Sequence, residues 1–212
     1  MIPTQDSLFT VLATAPSAGI QHQAVDQNFF LILQTPPEGF ILRKGKFGTC
    51  AHHCLKAVIE GKTGVQKPID SYSSDWWSKL TYLMTPLGIM KVLRKNGLEY
   101  ESIRAKKMSS EVKLQFLKDH LKRGPLILLI ASGMTKKKHF SRIKALTHWH
   151  YITLWGYHEQ EKVFYVYDSN TYLETEQYLM KGTIKVPYDF ILKVWSIGAT
   201  KLLYNYAIAI KY

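Results

Sequence analysis

The sequence predicts an α+β fold, with N-terminal helices packed on a largely antiparallel β-sheet. Two observations predict it: helical periodicity with its start and stop residues dominates the first half, and strand-like apolar runs dominate the second. Composition agrees. The 212 residues are 46% hydrophobic and 21% charged, enough for one domain with a full core and no disulfide staples. No internal repeat, linker or low-complexity tract divides the chain. Residues 1–28 read as a loosely docked arm and residues 29–212 as the domain.

The elements follow in order. Phe29–Leu33 reads as a short strand or buried segment, and Pro36-Pro37-Glu38-Gly39 as a turn. Gly45 to Thr49 is a loop. A helix is expected from Cys50 to Ile59, ended by Gly61 and Gly64. Asp70 to Trp77 reads as a polar loop with aromatics. Pro86 starts a second helix, with Leu87, Met90, Val92 and Leu93 near helical spacing and Asn96-Gly97 as its close. Leu98 to Arg104 is extended. Ser109-Ser110-Glu111 opens a third helix over Val112 to Lys122, with Leu114, Leu117 and Leu121 on one face, and Gly124-Pro125 breaks it. Leu126 to Ala131 is a buried strand, and Gly133 to Ala145 a basic loop. Strands follow near 149–157 and 162–168, joined by His158 to Glu161. Thr183 to Val186 is a further strand, Pro187 begins a helix through Trp195, and Tyr204 to Lys211 is the closing strand.

Charge and cysteine content narrow the function classes. The net charge of +12 favours acidic partners: nucleic acid, anionic lipid or an acidic protein. Nucleic acid is not expected, because no zinc finger, Gly-rich loop or RNA-recognition aromatic motif is present. The two cysteines, Cys50 and Cys54, make no disulfide framework and demand no oxidising compartment. No stretch approaches the roughly 20 apolar residues of a membrane helix. The N-terminus lacks the basic start of a secretory signal, although Ala13-Thr14-Ala15 loosely resembles a cleavage site. The expected location is the cytoplasm, or outside the cell as an effector without a classical signal peptide.

The chemistry-bearing residues form a pattern. Cys50 follows a Gly-containing loop and starts a helix, where partial positive charge and free N–H groups favour a thiolate and can receive an oxyanion. His150 opens an apolar strand and titrates in the range useful to a general base. Asp168 ends the next strand and is placed to bond the far ring nitrogen. Cysteine, then histidine, then acid suits a nucleophile, a base and an orienter. Each has a structural reading beside it: a buried cysteine, a half-buried strand histidine and an ordinary Asp-Ser-Asn turn. His148 is the rival base and Asn170 the rival orienter. Cys50, His53 and Cys54 fall at helical spacings that suit metal ligands, with His52 nearby, but match no standard zinc motif. The plainer reading makes Cys54 core and lets His52 or His53 line a surface; no metal and no cofactor is expected. Arg43, Lys44 and Lys46 precede Cys50, and Lys136, Lys137, Lys138, Arg142 and Lys144 precede His150. If Cys50 and His150 meet, these clusters flank one cleft; otherwise they are solvated loops.

In this order the segments resemble the papain-like cysteine peptidases of the bacteriocin-leader-processing family, over about residues 40–212. The Cys50 helix is similar to the nucleophile helix, and Thr85–Leu98 to a second block that runs from a helix into a Gly-Leu turn. Gly124-Pro125-Leu126-Ile127 resembles the strand before the base. His150–Tyr157 is similar to the histidine strand, Tyr165-Val166-Tyr167-Asp168 to the aspartate motif, and Val186–Phe190 with Trp195 to the final helix. The resemblance implies Cys50 as nucleophile, His150 as general base and then acid, and Asp168 as orienter, with an acyl-thioester intermediate. It favours His150 over His148. Two departures stand out. The family's oxyanion Gln, about six residues before the cysteine, is Lys44 here, and the usual Cys-Gly-Pro is Cys50-Ala51-His52. Lys44 becomes the oxyanion candidate, and Arg43, Lys46 and Trp149 the substrate-binding candidates. The expected substrate is a peptide or isopeptide carbonyl in a peptide or protein, which the basic clusters would suit if it is acidic. The alternatives are a papain-like acyltransferase or deamidase, and a degenerate binding module for an acidic partner.

Overall fold

The computed structural model describes residues 29–31, 48–131, 149–169, 183–197, 203 and 205–212. The elements are β1 (Phe29–Leu31), α1 (Cys50–Thr63), a 3-10 turn (Ile69–Tyr72), α2 (Trp76–Thr81), α3 (Pro86–Lys95), β2 (Glu99–Arg104), α4 (Ser110–Leu121), β3 (Leu126–Ala131), β4 (Trp149–His158), β5 (Val163–Tyr167), β6 (Thr183–Pro187), α5 (Tyr188–Ser196) and β7 (Tyr206–Lys211). The strands form one sheet in the order β2-β7-β3-β4-β5-β6, with β1 against β4. Every pairing among the described strands is antiparallel. The expected α+β architecture is therefore present.

Side-chain alternation splits the core into two layers, because successive strand residues face opposite sides. Ile127, Leu129, Tyr151, Trp155, Tyr206, Ile208 and Ile210 pack toward α1 and α3. Leu126, Leu128, Ile152, Leu154, Phe164 and Val166 pack toward α4 and α5. The expected helical layer is thus divided between the two sheet faces.

Helix α1 is buried along its length from Cys50 to Gly61. Burying Lys56 and Glu60 there requires that the two charges be paired. Lys56 Nζ donates to Glu60 Oε1 at 2.5 Å and to the Lys67 carbonyl at 2.9 Å. The same Glu60 oxygen accepts from Tyr72 Oη at 2.6 Å and from the Lys67 N–H at 2.8 Å. This network ties α1 to the 3-10 turn and holds the helix in the centre of its layer.

Three local expectations change. The first helix does not end at Gly61: it continues to Thr63, and Gly64 closes it in the left-handed conformation, at φ 69°. Asp70 to Trp77 is not a loop throughout. Ile69–Tyr72 forms the 3-10 turn, and Asp75 starts α2 by accepting from the Ser78 N–H at 2.7 Å. His52 and His53 line no surface, for α1 is enclosed and both rings are buried. The expected arm over residues 1–28, the turn at Pro36–Gly39 and the basic loop 133–145 lie outside the described residues.

Candidate active site

Cys50 is the first residue of α1 and is 9% exposed. The loop ahead of it turns through Gly48 at φ 90°, a conformation that favours glycine. The space there is also closed: a Cβ on Gly48 would lie 3.2 Å from the Tyr82 carbonyl oxygen and 3.5 Å from Leu83 Cδ2. The backbone after α2 therefore presses on the loop that carries the thiol. Thr49 makes no side-chain capping bond, and the first turn of α1 has no acidic residue. The positive end of the helix is consequently not neutralised by a carboxylate of its own first turn.

Strand register brings the histidine and the aspartate together. Thr153 pairs with Tyr167, so Asp168, directly after β5, stands beyond Ile152 on β4. His150 and Asp168 then lie at the same end of the β4–β5 pair. His150 Nε2 is 2.6 Å from Asp168 Oδ1. That contact occupies one ring nitrogen, and the Cys50 thiol is near enough to the same ring to raise its pKa. The Cys50 thiol also lies 4.0 Å from the Gly48 carbonyl oxygen.

The electrostatics follow from burial and pairing. Burial opposes charge on His150, but the Asp168 carboxylate, with its hydrogen bond, and the Cys50 thiol outweigh it and push the imidazole up to about 10. The ring therefore favours the imidazolium form at neutral pH. Cys54, one helical turn further on, is enclosed in the core, and burial pushes its thiol well up. The two thiols are unequal: Cys54 is a core thiol, and Cys50 sits at the helix start beside the imidazole.

Support for the helix start comes from residues that sequence reasoning placed elsewhere. His52 is fully buried, with Nε2 3.1 Å from Ser73 Oγ and its ring edge-on to Tyr82 at 5.7 Å. Burial lowers it to about 4 against the opposing influence of Asp70, so it is neutral at pH 7.

The remaining candidates separate. Trp149 opens β4 and is 52% exposed, beside His150. Arg43, Lys44, Lys46, His148 and Asn170 lie outside the described residues. Among the described residues, no three or more His, Cys, Asp or Glu side chains are grouped to hold a metal ion. No described helix is long and apolar enough to cross a membrane.

Comparison with known proteins defines the fold class. No protein-family model and no curated protein sequence matches the chain. Solved structures do. The peptidase domain of Streptococcus ComA, a bifunctional ABC transporter of a quorum-sensing pathway, is 16% identical, with a TM-score of 0.51 over 81% of this chain and 96% of that one. A double-glycine motif protease from an AMS/PCAT transporter, solved with its leader peptide, is 17% identical, with a TM-score of 0.50 over 84% of this chain and 93% of that one. The chain thus shares the fold of these transporter peptidase domains. At these identities the likeness is one of fold.

Proposed function

We propose that this protein is a cysteine peptidase that attacks a peptide carbonyl through Cys50, with His150 as base and then acid and Asp168 as orienter. The observation that supports this reading is the His150 Nε2 to Asp168 Oδ1 contact of 2.6 Å, on a ring whose pKa the Cys50 thiol also raises. Asp168 holds the imidazole orientation and stabilises its charged form. The Cys50 thiolate attacks the carbonyl carbon, and the first N–H groups of α1, with Lys44 as a further candidate, receive the developing oxyanion. The imidazolium protonates the leaving amine, forming the acyl-thioester. Water, deprotonated by the same ring, then releases the acid and restores the thiolate and the imidazolium. The fold shared with a protease solved with its leader peptide supports a peptide substrate.

The test is the pH dependence of Cys50 alkylation by iodoacetamide in a Cys54→Ala background, with and without His150→Ala. A midpoint well below the free-thiol value of about 8.5, lost in the His150 variant, is the expected result. A midpoint at the free-thiol value in both proteins refutes the proposal. The second reading, a binding module on this fold, rests on Lys44 at the position of the family's oxyanion Gln. An unreactive Cys50 would select it.

A further inference from the structure

The chain exposes an apolar cluster that the core does not explain. Trp76 is 73% exposed, Trp77 54%, Leu80 69%, Leu83 61% and Leu87 74%. These residues come from α2, the segment after it and the first turn of α3. The two starts are adjacent, since a Cβ on Gly88 in α3 would lie 3.0 Å from Ser74 Oγ, just ahead of α2. Isolated exposed apolar side chains are ordinary, but five large ones between Trp76 and Leu87, two of them in ring contact, mark an interaction surface.

The shape and charge of this surface indicate its partner. Every one of the five side chains is more than half exposed, so they protrude rather than floor a groove. From Trp76 to Leu98 the chain carries Lys79, Lys91, Arg94 and Lys95 and no carboxylate. All four cations are exposed, and Lys91 is close enough to the start of α2 to act on Asp75. Asp75 itself is engaged as the cap of α2. Protruding Trp and Leu with flanking cations is the combination that partitions into the headgroup region of an anionic bilayer. The net charge of +12 adds attraction at longer range.

We infer that the Trp76–Leu87 surface docks this protein on an anionic membrane. Leu83 borders Gly48, two residues before Cys50, so docking holds the candidate active site beside the bilayer. A peptide held at the membrane surface would then meet Cys50 without leaving it. The docking does not depend on the proposed peptidase activity, although its use for substrate capture does.

The experiment is co-sedimentation of the full chain with vesicles of equal parts phosphatidylcholine and phosphatidylglycerol, against vesicles of phosphatidylcholine alone. Binding to the anionic vesicles is expected, weakened by salt, with a blue shift of tryptophan emission. Trp76→Ser with Trp77→Ser should lower the partition coefficient at least about tenfold; both positions are exposed, and circular dichroism confirms that the variant is folded. Cys50→Ala should bind as the parent does, which separates docking from catalysis. The inference is overturned if the parent fails to sediment with anionic vesicles, or if the double variant binds them as well as the parent. It is equally overturned if the double variant keeps vesicle binding and loses only peptide cleavage, which would make the surface a peptide site. A dimer that the double variant abolishes, without vesicle binding by the parent, would assign the surface to a second copy of the chain.

Discussion

Lowering the pH should weaken this fold through His52, two residues from Cys50. In the folded protein its imidazole is lowered from 6.5 to about 4, with burial as the main cause. In the unfolded chain it titrates at its ordinary value. The unfolded state therefore binds the proton first, and stability is full above about pH 6.5 and falls as the pH drops toward 4. That gap corresponds to about 3 kcal/mol, a large part of the roughly 5–15 kcal/mol that holds a typical domain together. His150 does not interfere. Its raised pKa makes a stabilising contribution that is fully present below about 6.5 and fades as the pH rises through about 10. Other groups do contribute on the acid side, since the carboxyls of Asp75, Glu111, Asp119 and Glu161 are all held below their ordinary values. The comparison must therefore be between proteins that share them. His52→Gln keeps a polar side chain beside Ser73 and removes the titration. Urea unfolding at pH 7 and pH 4, followed by tryptophan fluorescence, measures the difference. The parent should lose about 3 kcal/mol more than the variant between the two pH values. Equal losses, or a greater loss in the variant, would show that the buried ring does not govern acid stability.

Other perturbations test the frame around the site. Gly124→Ala should destabilise the protein by about 3 kcal/mol or more, because its Cβ would fall 1.8 Å from the Ile210 carbonyl oxygen, a backbone atom of β7; a denaturation midpoint unchanged from the parent would contradict this. Glu60→Ala should cost about 3–5 kcal/mol, since it strands the buried Lys56 ammonium and removes the acceptor of Tyr72. Lys56→Met together with Glu60→Leu should recover much of that loss in the same melt, because no unpaired charge remains.

What could be read from the sequence was local. The Cys50 helix, the Pro86 helix and the strands around His150 and Asp168 follow from periodicity, caps and turn residues within a few positions of each other. The α2 helix was legible in principle: Asp75 and Ser78 form a capping pair, but the aromatics between them made the segment resemble a loop. The order of Cys50, His150 and Asp168 along the chain suggested one site. Tertiary structure decided their approach: the β4–β5 register, with its irregularity between Leu154 and Gly156, sets His150 beside Asp168, and the packing of α1 against β4 brings Cys50 to that side of the molecule.

Burial was also a tertiary decision. His52 and Glu60 are polar by sequence, yet both are enclosed, because α1 is covered by the sheet on one side and by α3 and the 3-10 turn elsewhere. Nothing within one turn of His52 announces Ser73 or Tyr82 as its neighbours. The exposure of Trp76, Trp77 and Leu87 was equally hidden, since aromatic and leucine residues ordinarily suggest core. Periodicity acts over a few residues and is written in the sequence directly. Register, enclosure and the side of the sheet on which each helix lies depend on contacts between distant segments, and only the folded chain selects them.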